Sequence, residues 1–162
     1  MISRTGSSKG VRGFTLIELL VVIAIVSITL GLVTPVFRKT FSDIQLKTCV
    51  QDMVSLIRYA KEHAIVKNTT LRFNLDTKEG SYWLTKKEQD KDVFRRLSGN
   101  LGRRYISPSG LQIETKENYI DFYPDGELTQ AEIRITNPNK KSLTIFLKPN
   151  IGNNIAVSEN EE

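Results

Sequence analysis

The chain has 162 residues, of which 40% are apolar and 25% charged, and its 23 basic and 18 acidic residues give a formal charge of +5. That length fits one compact domain with an extension and leaves no room for two enzyme domains. Cys49 and His63 are the only cysteine and histidine, so an intramolecular disulfide, a zinc cluster and any site built on several histidines are excluded.

The first segment, residues 1–13, carries Arg4, Lys9 and Arg12 and ends in Gly13. Behind it, Phe14 to Phe37 is a nearly unbroken apolar run in which Glu18 is the only charge. As a helix, these residues would extend about 36 Å, enough for a hydrocarbon core of about 30 Å. The three leading cations favour a cytoplasmic N-terminus, and Arg38 and Lys39 beyond the run weaken that bias. The run is longer than the apolar part of a secretory signal and no Ala-x-Ala follows it. A plain signal anchor fits the composition but leaves Glu18 unexplained, because a carboxylate inside such a run costs about 2–3 kcal/mol on insertion unless it is paired or interfacial.

The stretch Gly13-Phe14-Thr15-Leu16-Ile17-Glu18-Leu19-Leu20-Val21-Val22 resembles the prepilin signature of type IV pilins and type II secretion pseudopilins. The resemblance implies cleavage between Gly13 and Phe14 by a prepilin peptidase, N-methylation of Phe14, and a role for Glu18 in assembly with other pilin or pseudopilin subunits. The chemistry suits these roles. Gly13 presents no side chain to a protease cleft, and cleavage creates a cationic amine about 6 Å along the helix from Glu18, within reach of a staggered neighbour. Cleavage would also remove three of the 23 basic residues, leaving 20 against 18 and little net charge to argue from. Gly31 and Pro35 are poor helix-interior residues and predict a kink or melted stretch there. A proline also stands near this place in the family.

From residue 38 to 67 the pattern becomes amphipathic, with Leu46, Val50, Met53, Ile57, Ala60 and Ala64 forming one stripe and Asn68-Thr69 a stop. Cys49 and His63 lie on this helix and read as packing and surface residues. Residues 69–158 read as a head of short antiparallel strands, at 71–75, 81–86, 111–115, 118–123, 131–136, 142–148 and 154–158. The segment from Lys87 to Pro108 reads as a loop, and residues 159–162 as an acidic, disordered tail. Tyr82 and Trp83 are neighbours on a strand, so one faces the core and the other the opposite side.

The head's Ile120-Asp121-Phe122-Tyr123-Pro124-Asp125-Gly126-Glu127-Leu128, its two following aliphatic strands and its Pro149-Asn150-Ile151-Gly152 turn are similar to the GspH/FimT group of minor pseudopilins and minor pilins. The expected fold class is therefore α+β and type IV pilin-like, a long N-terminal helix packed on a β-rich head. No phosphate loop, paired-histidine motif or nucleophile elbow is present in the sequence, and no cofactor or metal is implied.

By resemblance, the function is that of a structural subunit and not an enzyme. It would be an H-class minor pseudopilin of a type II secretion system, near the filament tip. Its localisation would be single-pass in inner-membrane lipid, with a cytoplasmic N-terminus and a periplasmic head. The alternative is a FimT-like minor pilin that binds DNA in natural transformation. For that reading the basic doublets Lys86-Lys87, Arg95-Arg96, Arg103-Arg104 and Lys140-Lys141 would have to gather into one phosphate-binding patch. The favoured expectation is that they are separate solvated surfaces. A membrane-anchored binding domain that is never processed is the third possibility.

Overall fold

The structure is a computed structural model describing residues 14–88, 93–149 and 155–161, with side chains at all of these except 32–36, 38, 100, 160 and 161. Its order is one helix, α1 (Leu16–Val66), then nine strands: β1 (Leu71–Asp76), β2 (Ser81–Lys87), β3 (Phe94–Arg96), β4 (Tyr105–Ile106), β5 (Gln112–Thr115), β6 (Tyr119–Phe122), β7 (Ala131–Thr136), β8 (Lys141–Leu147) and β9 (Ile155–Glu161). The chain divides into two units between Arg38 and Lys39.

In the first unit α1 continues through Gly31 and Pro35 as unbroken helix, so the expected melting there is absent from the backbone. Proline removes a single backbone donor and crowds the carbonyl four residues back, here that of Gly31. The many intact turns on either side outweigh that local loss of about 3 kcal/mol.

The second unit holds the head. All six residues of the amphipathic stripe, Leu46, Val50, Met53, Ile57, Ala60 and Ala64, are buried, joined by Cys49, Val54 and Leu56. The helix ends in a Schellman motif. Asn68 takes the left-handed conformation at φ 47°, Thr69 N–H donates to the Ala64 carbonyl at 3.0 Å, and Asn68 N–H donates to that of Ile65 at 3.3 Å.

The strands form two antiparallel sheets. The first runs β3-β2-β1-β6 with β4 also on β2, and the second runs β5-β7-β8-β9. Alternation decides which face is buried. Leu71, Phe73 and Leu75 of β1 and Ala131, Ile133 and Ile135 of β7 join the stripe in one core, and Glu132 and Arg134 stay exposed. Tyr82 is the core member of the Tyr82-Trp83 pair, whereas Trp83 is half-buried under the Arg104 guanidinium, 4.8 Å from its ring. The outer face of the first sheet carries a clamp. Arg72 forks onto Asp121 at 2.7 and 2.8 Å and stacks between Phe94 and Tyr119, 3.7 and 3.9 Å from their centroids.

Two expectations are corrected. The 87–108 segment is not one irregular loop, because β3 and β4 both pair with β2 and a 3₁₀ turn at Gly99–Gly102 lies between them. Two- and three-residue strands carry no period of their own, and the edge of β2 supplies their order. The C-terminal segment is strand through Glu161, not a tail from 159. It pairs residue by residue with β8, and Glu159 is ion-paired to Lys141, so backbone pairing outweighs a polar composition. The leader 1–13, with Gly13, and the Asn150-Gly152 part of the expected turn lie outside the described residues.

Candidate functional site

Of the residues singled out at the N-terminus, Phe14 and Glu18 lie at the start of α1, and Gly13 is outside the described residues. Phe14 and Thr15 precede the helix, and Phe14 is 76% exposed. The Thr15 hydroxyl accepts from the Glu18 N–H at 3.3 Å, and the Thr15 carbonyl accepts from Glu18 and Leu19 N–H at 3.1 and 3.2 Å. Thr15 is thus the N-cap and Glu18 the third helical residue, the spacing of a capping box. This puts the only acid of the run in the first turn, beside the positive end of the helix dipole. Sequence reasoning missed the cap, although Thr-x-x-Glu ahead of an apolar run is its usual sign.

Every large apolar side chain from Phe14 to Leu30 is exposed, from 46% at Val22 to 81% at Leu16. The exposure goes all round, with no polar stripe. Leaving such residues in water forgoes about 1.5–3 kcal/mol each, so this segment needs an apolar environment. Its hydroxyls are already adapted to one, because Ser27 and Thr29 donate back to the Ile23 and Ile25 carbonyls at 2.7 and 2.8 Å. Among the described residues no helix is long and apolar enough to cross a membrane.

In each of the two arginine doublets the two side chains have different partners. Arg95 is bound to Glu88 at 3.1 Å, and Arg104 to Asp76 at 3.0 Å, Glu79 at 2.9 Å and the Ser81 hydroxyl at 2.7 Å. Arg96 lies 6.0 Å from the Trp83 ring on the outer face. Arg103 lies over Tyr105 at 4.5 Å, and Tyr105 in turn stacks on buried Tyr82. Arg103 and Arg104 therefore serve opposite sides of β2, since Tyr82 and Trp83 are neighbours on a strand.

Cys49 and His63 lie on the second half of α1, and Tyr82 lies on β2. Burial, reinforced by the Asp52 charge, pushes the Cys49 thiol up to about 11, leaving little thiolate at neutral pH. Burial also raises the Tyr82 hydroxyl well above its usual range, with the charges of Cys49, Asp52 and Tyr105 adding to it and Arg103 opposing. His63 is lowered by desolvation and then by Lys67 and Lys86, and its ring stacks on Tyr59 with centroids 5.2 Å apart. No metal-holding group of His, Cys, Asp or Glu occurs among the described residues. A cavity of about 660 Å³ on the second sheet, with Glu114, Glu132, Arg134 and Phe146 in its lining, includes none of the candidate site residues.

A family model described as Type II transport protein GspH matches residues 50–150, well over half of the chain. The chain belongs to the GspH family. A second model, the prokaryotic N-terminal methylation motif, matches residues 8–34. This GspH-family chain is similar to the minor pseudopilin EpsH from the type 2 secretion system of Vibrio cholerae. Identity there is 13%, the TM-score is 0.59, and the match covers 72% of this chain and 96% of that one. The type IV minor pilin FimU of Pseudomonas aeruginosa is similar at 11% identity and a TM-score of 0.51, covering 74% and 90%. These likenesses establish the type IV pilin-like α+β fold. A sequence search of curated proteins finds no match.

Proposed function

We propose that the chain is an H-class minor pseudopilin of a type II secretion system. A prepilin peptidase would cut it between Gly13 and Phe14 and methylate the new Phe14 amine. The product would sit in the inner membrane as a single-pass subunit, head in the periplasm, until it joins the filament near the tip through its N-terminal helix. The observation that carries this reading is the uncovered apolar segment from Phe14 to Leu30, opened by one capped turn with a single carboxylate. Such a segment must be surrounded by lipid or by like helices, and its charge fits an amine partner. The methylation motif over residues 8–34 supports the processing, and the GspH family model supports the secretion assignment.

The processing step has a direct test. In a host carrying the peptidase, mass spectrometry of the membrane-extracted protein should find a chain that starts at Phe14 and carries one added methyl. A chain retaining the leader would overturn it.

DNA is not favoured as a partner, because Arg95 and Arg104 are occupied by carboxylates and the two arginine doublets split between different partners. The full chain in detergent should therefore retain no duplex DNA at about 200 mM salt. Removing the chain should abolish export of secretion substrates and leave DNA uptake unchanged. Tight DNA binding that falls steeply with salt would transfer the assignment to the minor pilin of natural transformation.

A further inference from the structure

The hairpin turn between β7 and β8 is fastened to the helix where the head begins. Asn137 Nδ2 donates to Asp43 Oδ1 at 2.6 Å, and Asn139 Nδ2 donates to the Lys39 carbonyl at 3.2 Å and to Asp43 Oδ1 at 3.4 Å. The turn is held from inside as well, because the Asn137 side-chain oxygen accepts from Asn139 and Lys141 N–H, both at 3.0 Å. Its exposed tip, Lys140, takes a left-handed backbone at φ 66°, a conformation that a side-chain-bearing residue adopts at a cost.

The outcome is that the backbone of exposed Lys39 meets the side chain of Asn139, whose chain neighbour is exposed Lys140. The nearby acids are held in different ways. Asp43 keeps its charge and takes hydrogen bonds from both asparagines, Glu159 is paired with Lys141, and Lys47 lies close enough to Glu159 to help lower its carboxyl. No described carboxylate is ion-paired with Lys39 or Lys140. Lys39 also follows the last apolar residue of the run, Phe37, by two positions, so chain connectivity puts Lys39 at the depth where lipid headgroups begin.

We propose that Lys39 and Lys140 form a two-lysine seat for the phosphate of an anionic phospholipid in the leaflet facing the head, used by the subunit before it enters the filament. This rests on the single-pass membrane reading above. The recognised chemistry is a phosphate diester with net negative charge, and the lipid surface is its source because the apolar run delivers the lysines there. The seat gives the turn's fastening a purpose, since a loose hairpin would not hold the residue next to Lys140 on the Lys39 backbone.

The test is amine-acylation footprinting of the full processed chain in lipid nanodiscs, read by mass spectrometry. Discs of phosphatidylcholine alone are compared with discs one-third phosphatidylglycerol. Incorporation into both kinds of disc reports on the membrane reading, and failure to incorporate would overturn that reading and the seat together. With incorporation equal, Lys39 and Lys140 should label at least threefold more slowly in the anionic discs, and exposed Lys116 on the head should not change. Lys140→Gln should then return Lys39 most of the way to its rate in phosphatidylcholine, which a lysine protected only by membrane proximity would not do. Equal labelling in both discs, or protection of Lys39 that ignores Lys140→Gln, would overturn the seat. So would the same protection in phosphatidylcholine discs given soluble glycerol phosphate, because the source would then be free phosphate.

Discussion

Replacing Glu18 with valine should leave a subunit that is cleaved and membrane-bound but does not join the filament. Insertion should be at least as good as in the wild type, since a carboxylate in an apolar run disfavours entry. Cleavage should persist because Gly13 and the basic leader are untouched. The loss would fall on assembly, where Glu18 is proposed to meet the terminal amine of a neighbouring subunit. Stranding one charge of a desolvated pair costs about 3–5 kcal/mol, or two to three orders of magnitude in an equilibrium. The local role must be separated from this one, because Glu18 is also in the first turn of α1 behind the Thr15 cap. A first-turn carboxylate contributes only about 0.3–1 kcal/mol to a helix. Glu18→Gln makes the separation, as it keeps the side chain's shape and its ability to accept a hydrogen bond but has no charge. It should be almost as deficient as Glu18→Val, and Glu18→Asp should be intermediate because its shorter reach misplaces the charge. The measurement is co-isolation with the other filament subunits. Wild-type recovery of Glu18→Gln would leave the capping role and remove the pairing role.

How much of the fold is legible in the sequence follows from the length of each periodic signal. Leu46 to Ala64 is several turns of one stripe, and Leu71-Phe73-Leu75 or Ile133-Ile135 alternate cleanly, so the residue pattern alone identifies the buried helix face and strand faces. Phe94–Arg96 and Tyr105–Ile106 are too short to show a period, and what makes them strands is the edge of β2, a non-local cause. Glu159 to Glu161 has the composition of a tail and becomes strand because β8 offers it a full ladder. At the candidate site, the residues from Gly13 to Glu18 are legible as a signature, yet that same reading hides the Thr15 cap. The fate of the arginine doublets is partly legible too. Adjacent residues on a strand diverge, so a doublet there is two half-patches unless the chain turns.

The second large effect belongs to Arg72, and it concerns whether the head stays folded. Arg72 and Asp121 stand directly opposite each other on β1 and β6, joined by two parallel hydrogen bonds with side-chain exposures of 23% and 11%. The guanidinium is also sandwiched by Phe94 of β3 and Tyr119 of β6, so one side chain ties three strands of the first sheet. Arg72→Met keeps the aliphatic stem and leaves the Asp121 carboxylate without its counter-charge on a largely buried face. A stranded charge of this kind costs about 3–5 kcal/mol, and the remaining access of water to the pair points to the lower end, about 3. That is a large share of the ~5–15 kcal/mol by which domains are usually stable. Arg72→Lys should recover only part of the loss, because an ammonium cannot fork onto the carboxylate or stack flat between two rings. The double change Arg72→Met with Asp121→Leu should be clearly more stable than Arg72→Met alone, since no charge is then stranded. Urea unfolding of the full chain in detergent can read all three variants. Its signal would be the fluorescence of Trp83, the only tryptophan, which faces Asn74 across β1 and β2. If Arg72→Met unfolds within about 0.5 kcal/mol of the wild type, the clamp is surface decoration of the kind exposed ion pairs usually are. A double mutant no more stable than Arg72→Met would instead mean that the loss comes from the stem and ring contacts and not from the stranded carboxylate.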